Sequence, residues 1–261
     1  MATIITPNPK RLPDQTKHDT SQEVEPVTHQ LRSAVIISGG EGVRLRPITT
    51  DLPKGLVKVA GKPLLQWVIE WLRDSGITDL AIGVAYLKQK IIDYFGDGSR
   101  YGVHIKYSVH TVEGGTSEGF RLAIQRHMKD ETFLALNGDQ ITDLKIPRMV
   151  TQHEKGNPLV TIAVVHPRLP FGLVLADKAG YCRGFLEKPI LENIVCSSGV
   201  YVFQRNILPY LPKSGDVERT TFPLLAKRRK MRVYMHNGMF VTVNSLRELE
   251  EANETLKAVT K

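Results

Sequence analysis

The sequence predicts an α/β fold, a mainly parallel sheet with helices on both faces. Three features predict it. Short apolar strand-like runs recur along the chain, amphipathic stretches of helical period alternate with them, and a glycine-rich turn follows the first run at once. A length of 261 residues suffices for one large core of this kind. Residues 1–31, rich in Thr, Pro, Gln, Asp and Lys, read as a flexible extension and leave residues 32–261 as a single domain.

The first strand is Ala34–Ile37. An amphipathic helix, Leu64–Ser75, leads to a second strand, Asp79–Val84. A second helix, Leu87–Phe95, leads to His104–Ser108, and a third, Thr116–Met128, leads to Thr132–Leu136. Strand-like runs then outnumber helices: Leu159–Val165, Leu173–Leu175 and Gly199–Phe203, with a DKAG turn at Asp177–Gly180. The stretch from Leu159 to Phe203 is expected to be an α/β elaboration packed beside the first half. The last helix is Ser245–Val259, with Ser245 as its cap. No internal repeat is present.

The apolar fraction of 41% and charged fraction of 24% are ordinary for a soluble globular protein. No apolar run approaches the length of a membrane span, and the amino terminus lacks the apolar core of a secretory signal. A cytoplasmic setting without membrane partners is therefore expected. Only Cys182 and Cys196 occur, with no His or Cys at zinc spacing, so neither a disulfide framework nor a zinc motif is expected. Both read as small buried apolar residues. The net charge of +8 is scattered, apart from Lys227-Arg228-Arg229-Lys230, which reads as the solvated end of a helix. No aromatic-basic interleaving appears, which argues against nucleic acid as a partner.

Ser38-Gly39-Gly40-Glu41-Gly42 follows the first strand directly. In an open α/β sheet this places backbone N–H groups at the carboxyl edge, where ligands bind. Glycine lets the main chain approach a phosphate closely. Neither G-x-G-x-x-G nor G-x-x-x-x-G-K-[ST] is present, and GGEG alone also suits a plain tight turn. Arg44 just after it, and Lys54 behind Pro53, add a planar guanidinium fork and a compact ammonium charge. Together these predict a polyphosphate site.

The stretch GGEGVRLRPITTDLPKGLVKVAGKPLL (Gly39–Leu65) resembles the signature of the sugar-1-phosphate nucleotidylyltransferases, also called nucleotide-sugar pyrophosphorylases. The likeness continues through YFGDGSRYGVHIKYS (Tyr94–Ser108), GGTSEGFRLA (Gly114–Ala123), LNGDQITD (Leu136–Asp143), GFLEKP (Gly184–Pro189) and SSGVYVF (Ser197–Phe203). Six ordered motifs from Gly39 to Phe203 cover most of the chain beyond its extension. The resemblance implies a compact, single-domain member with a Rossmann-like fold of the nucleotide-diphospho-sugar transferase type.

It also implies a reaction, nucleotidyl transfer from a nucleoside triphosphate to a hexose or heptose 1-phosphate, giving a nucleotide sugar and pyrophosphate. Arg44 would contact the departing phosphates, Lys54 and Lys188 would complete the positive clamp, and Asp139 would bind Mg2+. Ser38, Gly39, Gly40, Gly42, Gly115 and Thr116 would line the nucleotide; Gly172, Glu187, Lys188, Ser198 and Gly199 would hold the sugar phosphate. Compact members often pair GTP with mannose- or heptose-type substrates, so the lean is to GTP. A homo-oligomer is a possible assembly.

Two departures stand out. Val43 replaces the pattern's usual threonine, and Thr242 replaces the usual second metal-binding aspartate. Asn244 then has two readings: a side-chain carbonyl ligand for the metal, or only a cap for the last helix. These departures keep open an alternative, a non-catalytic paralogue that binds sugar nucleotides and regulates a partner.

Overall fold

A computed structural model describes residues 31–259; the expected extension, bar Leu31, lies outside the described residues. In chain order the elements are β1 (Ser33–Ile37), β2 (Lys58–Val59), β3 (Lys62–Pro63), α1 (Leu64–Asp74), β4 (Asp79–Val84), α2 (Lys88–Phe95), β5 (His104–Val109), α3 (Gly115–His127), β6 (Thr132–Asn137) and β7 (Gln140–Thr142). They continue with α4 (Ile146–Glu154), β8 (Val160–Val165), β9 (Leu173–Ala176), β10 (Cys182–Leu186), β11 (Cys196–Gln204), α5 (Thr221–Lys227), β12 (Met231–Met235), β13 (Phe240–Thr242) and α6 (Leu246–Val259).

Seven strands form one sheet in the order β12-β8-β11-β6-β1-β4-β5. Its pairs are parallel except that β11 runs antiparallel to both β6 and β8. Strand β1 is central: Val35 lies between Ala81 of β4 and Ala135 of β6. All five β1 residues are buried, which an interior strand covered on both faces requires.

Side-chain alternation sends β1 into two cores. Ala34 and Ile36 pack with Leu65, Val68 and Leu72 of α1, Phe95 of α2 and Met149 of α4. Val35 and Ile37 pack on the other face with Phe120 and Ile124 of α3 and with Phe222 and Leu225 after β11. Truncating a fully buried one such as Ile36 or Phe120 to alanine costs about 2–5 kcal/mol. A third cluster joins Leu45, Val59 and Leu64 to Val243, Ala252 and Leu256, and so docks α6 against β2 and β13.

Two expectations are corrected. Leu159–Phe203 is not an elaboration beside the first half, because β8 and β11 are interior strands of the main sheet. Only the stretch between them leaves it, as an arm in which β9 pairs with β10 alone. Cys182 and Cys196 are exposed free thiols rather than buried ones, because both lie on that arm or at its return into β11. The basic run sits where expected, with α5 ending at Lys227.

Candidate active site

A cleft of about 330 Å³ opens where β1 and β6 end side by side, and Ser38, Gly39, Gly40, Gly42, Arg44, Lys54, Thr116, Asp139 and Asn244 all line it. The main chain holds its floor tightly. Gly138 N–H donates to the Ile37 carbonyl at 2.8 Å, and Ser38 N–H to the Gly83 carbonyl at 2.8 Å. A β-carbon on Gly39 would collide with the imidazole of His110. His110 is itself buried, so this close approach leaves room only for glycine.

Buried neighbours set the cations. A one-turn 3₁₀ helix, Val43–Leu45, buries Leu45 completely and leaves the Arg44 guanidinium exposed at the rim. Pro53 enters a later such turn, Lys54–Leu56, in extended conformation, and Leu56 anchors it in the core. Lys54 is then only 15% exposed at its side chain.

Lys54 Nζ donates to Asp139 Oδ2 at 2.6 Å and to Asn244 Oδ1 at 2.7 Å. Three segments distant in sequence thus converge on one ammonium group. The cap question is answered by geometry: Glu248 N–H donates to Ser245 Oγ at 3.2 Å, so Ser245 caps α6. Glu248 Oε2 in turn accepts from the Asn244 N–H at 2.8 Å and from the Thr242 hydroxyl at 3.2 Å. With Val243 fully buried beside it, Asn244 is left with its side-chain oxygen facing Lys54 and Asp139. Among the described residues no three His, Cys, Asp or Glu side chains gather as a metal site. The Asp139 carboxylate and Asn244 amide are nevertheless two hard oxygens already sharing one cation, a donor pair that suits magnesium completed by water and phosphate oxygens.

At the other end of the cleft, Thr116 Oγ1 accepts from Val217 N–H at 2.9 Å and donates to Glu218 at 3.0 Å. Gly115 has φ +62° and lies against Gly215, whose carbonyl a β-carbon would meet at 2.7 Å. It shapes the turn without lining the cleft. Thr111, by its N–H and hydroxyl, donates to Glu118, and those bonds hold the Glu118 carboxyl below its usual range.

The expected sugar-phosphate residues are not gathered in this cleft. Lys188 lines a second hollow, of about 1060 Å³, which shares the turn around Asn244 through Thr242 and Ser245. Glu187 is exposed beside it, and Gly172 lies under the ring of Phe185. The Ser198 hydroxyl donates to the Ala163 carbonyl at 3.0 Å inside the sheet. Gly199, with φ +74°, packs against the Gln140 amide, which a β-carbon would approach to 2.5 Å. Asn137 lines the cleft although the motif reading passed over it, and its Oδ1 is buried without a hydrogen-bond partner. The available signal was a polar residue closing the apolar run TFLALN. Beneath it, burial pushes the Tyr201 phenol far above its ordinary value, against the opposing pull of Ser197 and Asn137.

Comparison with known proteins adds an independent line. A profile of the nucleotidyl transferase family matches residues 33–257. A UTP–glucose-1-phosphate uridylyltransferase of Synechocystis sp. is 31% identical over 202 residues, 71% of this chain and 52% of that protein. A mannose-1-phosphate guanylyltransferase of Mycobacterium tuberculosis is 31% identical over 214 residues, 79% of this chain and 58% of that protein. The chain therefore spans little more than half the length of these two curated relatives. HddC from Yersinia pseudotuberculosis, solved with GMP-PN, shares the fold, with TM-score 0.69, 21% identity, and coverage of 87% of this chain and 100% of that one.

Proposed function

This chain belongs to the nucleotidyl transferase family of sugar-1-phosphate enzymes, and we propose that it transfers a nucleotidyl group from a nucleoside triphosphate to a hexose or heptose 1-phosphate. A phosphate oxygen of the sugar 1-phosphate attacks the α-phosphorus in line. The new P–O bond forms as the α–β bridge breaks, and pyrophosphate leaves with the electron pair. Positioning and neutralisation of charge carry such a reaction, since its two substrates repel each other.

The observation that carries the proposal is the convergence of Lys54, Asp139 and Asn244 on the floor of a glycine-lined cleft at the sheet's carboxyl edge. Backbone N–H groups from Gly39 to Gly42 would cradle the triphosphate, and Thr116 would border its nucleoside end. Lys54 would turn its ammonium from Asp139 and Asn244 to an α-phosphate oxygen, while Arg44 at the rim would hold the departing phosphates. Glu187 would bond sugar hydroxyls and Lys188 the sugar phosphate, from the adjoining hollow. Asp139 and Asn244 would hold Mg2+, which when bound supplies positive charge shared between phosphate oxygens.

The test is a matrix of nucleoside triphosphates against sugar 1-phosphates with magnesium, reading pyrophosphate. One pair, with GTP and a mannose- or heptose-type phosphate as the leading combination, should release pyrophosphate at a rate dependent on both substrates. Background release from every pair would contradict the proposal.

A further inference from the structure

The arm between β8 and β11 contains no buried residue from His166 to Ser197. None of its side chains belongs to the three hydrophobic clusters. Yet nine of the eighteen exposed large apolar side chains among the described residues fall between Phe171 and Val195, led by Phe171 at 74%, Tyr181 at 70% and Phe185 at 62%. The arm is nonetheless built as a defined object. Its legs are zipped by Leu169 N–H to Pro189 O and Leu191 N–H to Pro167 O, each at 3.0 Å, and its turn is held by Arg183 Nε donating to Asp177 at 2.7 Å.

An isolated two-stranded ribbon is marginal in water, and this one carries apolar residues on both faces. Register puts Val174 beside Phe185 on one face, and Leu173 beside Leu186 on the other. The two outer strand edges have no partner among the described residues. Nine large side chains, mostly half exposed or more, offer an area on the order of the ~800 Å² that each partner buries in a standard interface. Patches on a typical monomer stay within about 300–600 Å².

We infer that the arm is a self-association surface, whose occupant is the arm of a second copy of this chain related by a two-fold axis. Charge favours a copy over an anionic partner. Residues 166–197 hold four basic side chains (Arg168, Lys178, Arg183, Lys188) and three acidic ones (Asp177, Glu187, Glu192). They sum to only +1 in a chain of net charge +8, so two copies that repel elsewhere meet here with little repulsion. A two-fold arrangement buries the same apolar patch on both copies and joins one free ribbon edge to its twin. This inference does not rest on the nucleotidyl-transfer reading.

Sedimentation of the full chain across a concentration series tests it, beside a Phe171→Asp/Phe185→Asp variant and a Tyr181→Arg variant. The wild type is expected at twice the 29.2 kDa chain mass. The double variant should associate at least about 100-fold more weakly, as loss of two aromatic anchors implies, and Tyr181→Arg should weaken association less. Far-UV circular dichroism should stay unchanged in both, since neither variant touches the core. A wild type that stays monomeric at tens of micromolar would overturn the inference. So would variants that dimerise as tightly as the wild type, or a monomer that floats with neutral lipid vesicles instead.

Discussion

The strands that end beneath the cleft and the arm that leaves the sheet after Val165 are built by opposite rules. Around the cleft, Ile36, Leu45 and Val243 have no exposure at all, and Arg44 and Asn244 each stand one residue from such an anchor. On the arm, nothing between residues 166 and 197 is buried, and Glu187 and Lys188 follow a ribbon that the core does not hold. The difference is instructive. Groups that stabilise charge as it develops must be fixed beforehand, because reorganising them during the reaction would cost what they contribute. Groups that select a sugar can sit on a segment whose position is completed by a ligand or a neighbour.

The comparison breaks first if the cleft proves dispensable. Asp139→Ala should lower pyrophosphate release by at least about 10²–10³-fold, the usual loss for a component of a charge clamp. Its thermal unfolding should stay close to the wild type, since Asp139 is a partly exposed pair partner rather than core. Near-normal turnover would place the chemistry elsewhere. Asn244→Ala sharpens the same side. Because Ser245 caps α6, the helix should survive, while the magnesium concentration for half-maximal activity should rise about tenfold or more. An unchanged magnesium requirement would return Asn244 to a purely structural part.

Smaller effects sharpen the buried side. Ser198→Ala removes a bond to Ala163 within the sheet, so denaturant unfolding should show a loss of about 0.5–1.5 kcal/mol with kinetic constants unchanged. A raised KM for the sugar phosphate would instead give Ser198 a role in the hollow. His153, on the buried face of α4 and bonded to Thr161 at 2.8 Å, is pushed from 6.5 to about 4, by burial first and by Arg232 second. The unfolded chain therefore takes up a proton between pH 6.5 and about 4 that the folded chain refuses. Stability should be full above that window and decline as pH falls through it, and His153→Gln should flatten the decline in acid melting curves.

The sequence foretells these two regions unequally, for physical reasons. The strands Asp79–Val84 and Thr132–Asn137 announce themselves because they are interior and nearly all apolar. The motif from Gly39 to Leu65 names the cleft because its glycines and cations act close together in the chain. Helix α5 is legible only at its basic end, because it is seven residues long and holds Pro223, and β12 is not legible because an edge strand carries exposed Arg232 and Val233. Helix α4 is short, with Pro147 in its first turn, and mixes Arg148 and Gln152 among its apolar positions. The cysteines were misplaced because burial follows residue type only where there is a core to enter, and the arm has none. The capping role of Ser245 is legible just before the last amphipathic run, whereas the place of Asn137 in the cleft depends on which neighbours the fold brings near.

The division between chemistry and selection is tested most directly by steady-state kinetics of Lys54→Ala and Glu187→Ala, measured side by side with the best substrate pair. Lys54→Ala should lose at least about 100-fold in kcat with little change in the KM for the sugar 1-phosphate. Glu187→Ala should raise that KM several-fold and leave the KM for the nucleotide in place. Equal losses in the same constant for both variants would contradict the account.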